Sequence, residues 1–222
     1  MLVLIAALNE QEGIGPTIEE LRKVLVNPYF LVVDGNSTDR TVEIAKDFGA
    51  VVIPQKGTGK GDAVAVALSH LDGEAFDYVV LIDADFTYPA EFLPRMIQIL
   101  EENPDVGMVC GNRFNSHLHV KSMRNAFYFG NRLLAFTHNL LNGVSLRDPL
   151  TGLRVVRAEA LRDWLPKSKG FDVEVELNHH VERRGYGIRE IDIAYRPRLG
   201  EKKLKLKHGL TIMKRILVES MY

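Results

Sequence analysis

The sequence predicts an α/β fold, a single domain with a mostly parallel sheet flanked by helices, on three observations. Apolar runs of four to seven residues recur along the chain, amphipathic stretches separate them, and 46% hydrophobic with 26% charged residues over 222 positions is a globular composition. A chain of this mass buries roughly 70% of the surface its unfolded form exposes, so it folds without a covalent or metal staple. Cys110 is the single cysteine, which excludes an internal disulfide framework and a cysteine-built zinc or iron–sulfur cluster, and suits a reducing compartment.

The opening MLVLIAALNEQEG lacks a basic leader and a small-residue cleavage site, so it reads as a first strand, Leu2 to Leu8, and not as a signal. No run reaches the ~18 apolar residues of a spanning helix. Thr17 to Leu25 follows as a helix, then the strand Phe30 to Val33, the helix Thr41 to Phe48, the strand Val51 to Pro54 and the helix Asp62 to Leu71. The strand Tyr78 to Ile82, the helix Pro89 to Glu102 and the strand Val106 to Cys110 complete the alternation. The strands are short, continuous and β-branched, as strands buried on both faces are, and the helices carry apolar residues three or four apart. Asp39 and Thr41 offer capping side chains. Such an order implies parallel strands joined by crossovers, with ligands at the strands' carboxyl ends.

Beyond Cys110 the pattern changes. A polar, His-containing loop around Asn115 to Ser122 divides a first half, residues 1–114, from a second, residues 115–222. Arg124 to Leu141 reads as a long aromatic-rich helix, Arg147-Asp148-Pro149 as a turn, Leu153 to Arg157 as a short strand and Val173 to Arg184 as a helix. Ile188 to Arg196 alternates as a strand, and Gly209 to Tyr222 gathers Leu210, Met213, Ile216, Leu217 and Met221 on one helical face.

The net charge of −1 conceals an asymmetry: Arg196 to Arg215 holds eight Lys or Arg against Glu201 alone, +7 in a chain whose remainder is −8. This is not a general nucleic-acid binder. Its tail suits phosphates or an acidic membrane surface, or is simply a solvated basic segment.

Three acidic strand ends would face one crevice: Leu8-Asn9-Glu10, the stretch from Asp34 to Asp39, and Asp83-Ala84-Asp85. An aspartate just past a buried strand can accept from the imide of a uracil, the amidine edge of a guanine or a ribose hydroxyl, which makes Asp34 and Asp39 candidates; capping or turn formation is the alternative. Two carboxylates one residue apart, Asp83 and Asp85, suit a divalent cation that neutralises a diphosphate. With thirteen aspartates one such pair is expected by chance, so position at a strand end supplies the specificity. Gly57-Thr58-Gly59-Lys60-Gly61-Asp62 opens a helix after the third strand; its amides could cradle an anion, or it is a glycine turn. It is neither a Walker A loop nor a dinucleotide fingerprint.

The ordered set Asn9-Glu10, Asp34-Gly-Asn-Ser37-Thr-Asp39-Arg-Thr41, Gly59-Lys60-Gly61-Asp62-Ala63 and Asp83-Ala84-Asp85 resembles family 2 glycosyltransferases of the GT-A fold. Within that family, Gly111-Asn112-Arg113, Asp148-Pro-Leu-Thr-Gly152-Leu-Arg154, Gly170-Phe171-Asp-Val-Glu174 and Tyr195-Arg196-Pro-Arg198-Leu-Gly200-Glu-Lys-Lys203 are similar to dolichol-phosphate mannosyltransferases and related polyprenyl-phosphate glycosyltransferases. The resemblance covers nearly the whole chain. It implies an inverting transfer of mannose or glucose from a GDP- or UDP-sugar to a polyprenyl phosphate, with Mg²⁺ or Mn²⁺, on the cytoplasmic side at the inner face of a membrane. It implies a donor site of Leu8, Asn9, Glu10, Asp34, Ser37, Asp39, Lys60, Asp62, Asp83, Ala84 and Asp85, with the cation at Asp83 and Asp85. Arg113, Arg124, Glu174, Arg196, Arg198 and Lys203 would serve the acceptor phosphate. Gly35 departs from the family where a second Asp is common, Thr87 where Gln is common near the metal, and Lys202 where Ser is usual.

A phosphate acceptor also has independent physical support. A hydroxyl acceptor needs a positioned base, whereas a phosphate monoester, with a second pKa near ~6, is already largely dianionic and has only to be placed and screened. Asp148 is the candidate base for a hydroxyl acceptor, or a turn residue before Pro149. A catalytically silent nucleotide-sugar-binding module is the other alternative. His117 with His119 and His179 with His180 read as surface or loop histidines, not metal ligands. Phe127, Tyr128, Phe129 and Phe136 are either core or a face toward lipid, and the terminal helix either packs on the domain or lies in an interface.

Overall fold

The computed structural model describes residues 1–70, 76–114, 126–142, 145–203 and 207–221. The strands are β1 (Leu2–Ala7), β2 (Tyr29–Asp34), β3 (Val51–Pro54), β4 (Tyr78–Asp83), β5 (Val106–Asn112), β6 (Arg154–Arg157) and β7 (Gly187–Asp192). The helices are α1 (Ile14–Val24), α2 (Thr41–Asp47), α3 (Lys60–His70), α4 (Leu93–Glu102), α5 (Ala126–Asn142), α6 (Val173–Arg183) and α7 (Lys207–Glu219). The predicted elements are all present, with ends shifted by a few residues; the predicted loop around Asn115 to Ser122 lies outside the described residues.

The described strands form one sheet in the order β3-β2-β1-β4-β6-β5-β7. Both faces of β1 are covered. Val3 and Ile5 meet α1 and α4 through Ile14, Ile18, Leu21, Leu93 and Met96, while Leu2 and Leu4 share the opposite core with Val64, Ala67, Val173 and Leu177 of α3 and α6. Burial on both faces is why β1, β2, β4 and β5 read as continuous apolar runs, whereas β3, expected to be buried, lies at the sheet edge and is only partly covered. The order reverses at β1, which pairs in parallel with β2 on one side and β4 on the other. Adjacent crossovers therefore leave in opposite directions there, opening a crevice at the carboxyl ends of β1, β2 and β4.

One strand departs from the parallel pattern. β6 is antiparallel to both β4 and β5, with Leu81 opposite Arg154 and Val109 opposite Val155. It enters from the Asp148–Gly152 turn, so a short return strand wedges into the sheet and brings that turn to the crevice. A third small core, Leu134, Val175, Ile212 and Ile216, joins α5, α6 and α7. Phe136 is not part of it and stands 64% exposed. The side chains of Phe127, Tyr128 and Phe129 lie outside the described residues.

Candidate active site

Short polar bonds build the crevice from its floor. Past β1 the chain turns through Asn9 at φ 50°, a left-handed conformation that asparagine tolerates. Asn9 Oδ1 accepts from Thr38 N at 2.8 Å, and Asn9 N donates to Ser37 Oγ at 2.9 Å. Buried Asp34 accepts from Ser37 N at 3.0 Å and Ser37 Oγ at 2.5 Å. Asp39 accepts from Thr41 N at 2.9 Å and Gln11 N at 3.2 Å, while Thr41 Oγ1 takes the Glu10 amide at 2.8 Å. The loops after β1 and β2 are thus cross-braced. In this arrangement Asp39 does the work of a turn and helix-entry residue; burial pushes its carboxyl up, but the Thr41 and Gln11 bonds hold it below the usual range.

Several amides of the glycine-rich loop are taken up within the protein. Gly61 N donates to Lys169 O at 3.0 Å, Asp62 N to the same carbonyl at 3.3 Å and Ala63 N to Gly59 O at 3.2 Å. Asp62 accepts the Gly57 amide at 2.9 Å, closing the loop on itself. Glycine is needed because a Cβ on Gly61 would lie 2.1 Å from Ser168 O. The loop is a docking element. It sends Lys60 inward, where Nζ lies 2.5 Å from Asp83 Oδ1 and 2.7 Å from Glu174 Oε1. Glu174, expected beside an acceptor phosphate, therefore sits behind Lys60. Burial opposes the lysine's charge, yet the two carboxylates raise its pKa overall.

The end of β4 carries the acidic pair. Ala84 is buried between them, with its carbonyl close to the Gly13 backbone. Asp85 Oδ1 accepts from Thr87 N at 3.1 Å and Thr87 Oγ1 at 2.6 Å, so Thr87 orients the carboxylate from behind. Burial, then the charge of Asp83, pushes the Asp85 carboxyl above its usual range; burial also opposes the charge of Asp83, but Lys60 overcomes it and lowers that pKa. A buried carboxylate repelled by a half-buried one beside it is relieved by a divalent cation. No cluster of three or more His, Cys, Asp or Glu suited to a metal occurs among the described residues. A Mg²⁺ or Mn²⁺ fits an open pair like this one, because such ions bind through one or two carboxylates and take their other oxygens from water and phosphate.

The basic segment after β7 folds back over these acids. Arg198 Nη2 lies 2.7 Å from Glu10 Oε1 and Nη1 lies 3.5 Å from Asp85 Oδ2. Lys203 Nζ is 3.3 Å from the same Glu10 oxygen and donates to Asn9 O at 2.8 Å. Burial still raises the Glu10 carboxyl against both cations, and its Oε2 is buried without a hydrogen-bond partner. Leu199 N bonds Asp85 O at 3.0 Å and Arg196 N bonds Thr87 O at 2.9 Å, fastening the segment to the β4 end. Arg196 faces elsewhere. Its Nη2 donates to both Glu20 oxygens, at 2.6 and 2.8 Å, and the guanidinium lies over the Phe86 ring.

Arg113, at the end of β5, meets Asp148 through Nε at 2.6 Å and Nη2 at 2.8 Å, and its backbone N adds a bond of 3.1 Å. Asp148 is 1% exposed, and the Arg113 charge is kept by this pairing although burial opposes it. Tyr195 lies beneath the guanidinium, and Tyr88 hydroxyl accepts the Gly152 amide at 2.7 Å. Arg124, His117 and His119 lie outside the described residues. His179 is buried against His138 and is not a surface residue, while His180 is half-buried and stacks on Trp164. Sequence reasoning missed Tyr88 and the supporting role of Thr87. An Asp-x-Thr spacing signals the latter, whereas Tyr88 carries no local signal.

Leu8, 43% exposed at the lip of β1, completes a crevice with apolar, acidic and basic walls. The model of Glycosyl transferase family 2 matches residues 2–165. A dolichyl-phosphate hexose transferase of Haloferax volcanii is 33% identical over 204 residues, 92% of this chain and 86% of that protein. Glycosyltransferase AglJ of the same organism is 34% identical over 88% of this chain, and the low-salt glycan biosynthesis hexosyltransferase Agl6 33% identical over 91%. The chain spans 63% and 49% of the length of those two relatives. Glucosyl-3-phosphoglycerate synthase from Mycobacterium tuberculosis, crystallised with Mn²⁺, UDP-glucose and phosphoglyceric acid, superposes with a TM-score of 0.77 at 22% identity, over 99% of this chain and 79% of that one. At that identity the likeness is one of fold. With the family match across most of the chain and a 33%-identical relative covered over 86% of its length, the chain belongs to glycosyl transferase family 2 and is a glycosyltransferase.

Proposed function

We propose that the enzyme transfers a hexose from a nucleotide diphosphate sugar to a polyprenyl phosphate, with a divalent cation held by Asp83 and Asp85. The observation that carries this reading is the state of Asp148. Both its oxygens are engaged by Arg113, so the residue best suited to deprotonate a hydroxyl is neutralised by a buried guanidinium. A phosphate acceptor needs no base. It needs positive charge near the donor, which Arg113, Arg198 and Lys203 provide. The cation, when bound, supplies charge stabilisation for the departing diphosphate. Asp34 and Glu10 line the nucleoside end, Lys60 fixes Asp83, and the arginines orient the lipid phosphate for attack with inversion. The name of the 33%-identical dolichyl-phosphate hexose transferase agrees with such an acceptor.

A lipid acceptor calls for a membrane surface. No helix of the described residues is long and apolar enough to cross a membrane. Support for peripheral contact comes from the outer faces of α5 and α7, where Leu133, Phe136, Leu140, Leu210, Leu217 and Met221 are exposed near the basic segment.

The test is transfer of labelled hexose from GDP-mannose and from UDP-glucose, separately, to dolichyl phosphate with Mg²⁺ or Mn²⁺, counting label extracted into organic solvent. Label from either donor, abolished by Asp85→Ala, supports the reading and names the nucleotide. Donor hydrolysis without lipid label moves the acceptor to a hydroxyl; donor binding without turnover indicates a silent module.

A further inference from the structure

Arg154 is the largest fully buried side chain among the described residues and is 1% exposed. A guanidinium stays charged under all ordinary conditions, and buried charges are normally paired with opposite ones. Arg154 is held instead by neutral acceptors. Its Nε donates to Thr151 O at 3.0 Å, Nη2 to Pro149 O at 2.7 Å and Nη1 to Asn178 Oδ1 at 2.5 Å, and Nη1 also lies 3.6 Å from Met108 Sδ and 3.7 Å from Cys110 Sγ. Asn178 in turn donates to Pro149 O at 3.1 Å. A hydrophobic residue would satisfy the core at lower desolvation cost, so packing alone does not explain this side chain.

Its acceptors explain it. Pro149 O and Thr151 O belong to the turn that enters β6, and both ends of that turn reach the active site. At one end Asp148 holds Arg113. At the other, Gly152 is pressed against Asp83, where an added Cβ would lie 2.3 Å from Oδ2, and its amide is tied to Tyr88. We propose that Arg154 is a positioning residue of the transfer reaction: by gripping two carbonyls of the Asp148–Gly152 turn it sets the aim of Arg113. It touches neither substrate, and its effect on the acceptor rests on the reading of Arg113 as a phosphate-binding group.

The experiment compares wild type with Arg154→Met and Arg154→Lys, the lysine variant keeping the charge should the methionine variant fail to fold. Two readouts are taken. The first is the Nε–H resonance of Arg113, assigned by its loss in Arg113→Lys, whose shift and exchange protection report the Asp148 contact whatever the acceptor is. The second is the kinetic split, with kcat and acceptor KM measured against the dissociation constant of the donor nucleotide. Misplacement by about 1 Å at a reacting centre costs on the order of 100-fold. The expected result is loss of protection at Arg113 and a fall in kcat/KM for lipid phosphate of that order, with donor-nucleotide affinity within a few-fold and partial recovery in Arg154→Lys. An unchanged Arg113 resonance in a folded variant overturns the proposal. Loss of donor affinity in parallel with kcat/KM also overturns it, since a general loss of structure would do that. Should wild type use no lipid phosphate, the acceptor reading fails while the Arg113 resonance still decides the role of Arg154.

Discussion

Arg113 and Asp148 lie 35 residues apart in sequence and meet in a two-pronged pair, with N–O distances of 2.6 and 2.8 Å, inside the protein. A carboxylate so engaged is a clamp for the guanidinium, with both oxygens taken. Replacing it leaves a buried positive charge unpaired. Asp148→Asn is expected to cost about 3 kcal/mol of stability and to lower transfer to lipid phosphate without removing an ionisation from the pH–rate profile. Urea denaturation and initial rates from pH 6 to 9 check this; loss of a basic-group ionisation would restore Asp148 as a base.

Arg198 bridges Glu10 and Asp85, and so joins the acids past the ends of β1 and β4 to the basic segment. Arg198→Ala is expected to raise the acceptor KM by about tenfold or more, the scale of a lost charge-assisted contact of 1.5–3 kcal/mol, while donor-nucleotide affinity changes much less. Titration calorimetry with the nucleotide diphosphate and acceptor-saturation kinetics separate the two. Equal losses would remove the division of roles.

At the end of β4, the burial of Asp85 and its repulsion from Asp83 define where a cation is useful. Asp85→Asn is expected to abolish stimulation by Mn²⁺ and to lower the rate by at least ~100-fold, the scale of a lost electrostatic group at a reaction centre. Mn²⁺ binding followed by paramagnetic resonance gives a readout independent of turnover.

Gly61 is pressed on the backbone of Ser168 and Lys169. Gly61→Ala is expected to destabilise the fold by about 2 kcal/mol through overpacking and to weaken donor use, because Lys60 reaches Asp83 only when this loop is docked. Thermal unfolding and donor KM measure both consequences.

His138 and His179 are held neutral, burial first and then neighbouring positive charge lowering both from 6.5 to about 4. The unfolded chain takes up protons near pH 6.5 and the native one does not, so their contribution is complete above that pH and is lost as pH falls from about 6.5 toward 4. The urea midpoint is expected to be flat above pH 7 and to drop through that window. Replacing both histidines with Asn should flatten the drop; an unchanged slope would assign it to carboxylates.

The alternation of buried strands and amphipathic helices, and the placing of Glu10, Asp34, Asp83 and Asp85 at strand ends, are legible in the chain because a strand covered on both faces must be continuously apolar, and the first polar residue after it marks its end. Local bonds such as Asp34 with Ser37 and Asp85 with Thr87 follow from spacings of two or three residues. Partnerships across the fold do not. That Lys60 would bridge Asp83 and Glu174, that the glycine-loop amides would be taken by Lys169, that Arg196 would turn to Glu20, and that β6 would run antiparallel and carry Asp148 to Arg113 depend on which surfaces meet once the layers are stacked. A hydrophobic pattern records which side of an element is buried, but the partner of a buried charge is chosen by three-dimensional packing, where many pairings share the same local sequence and the layers as stacked bring only some of those groups into contact.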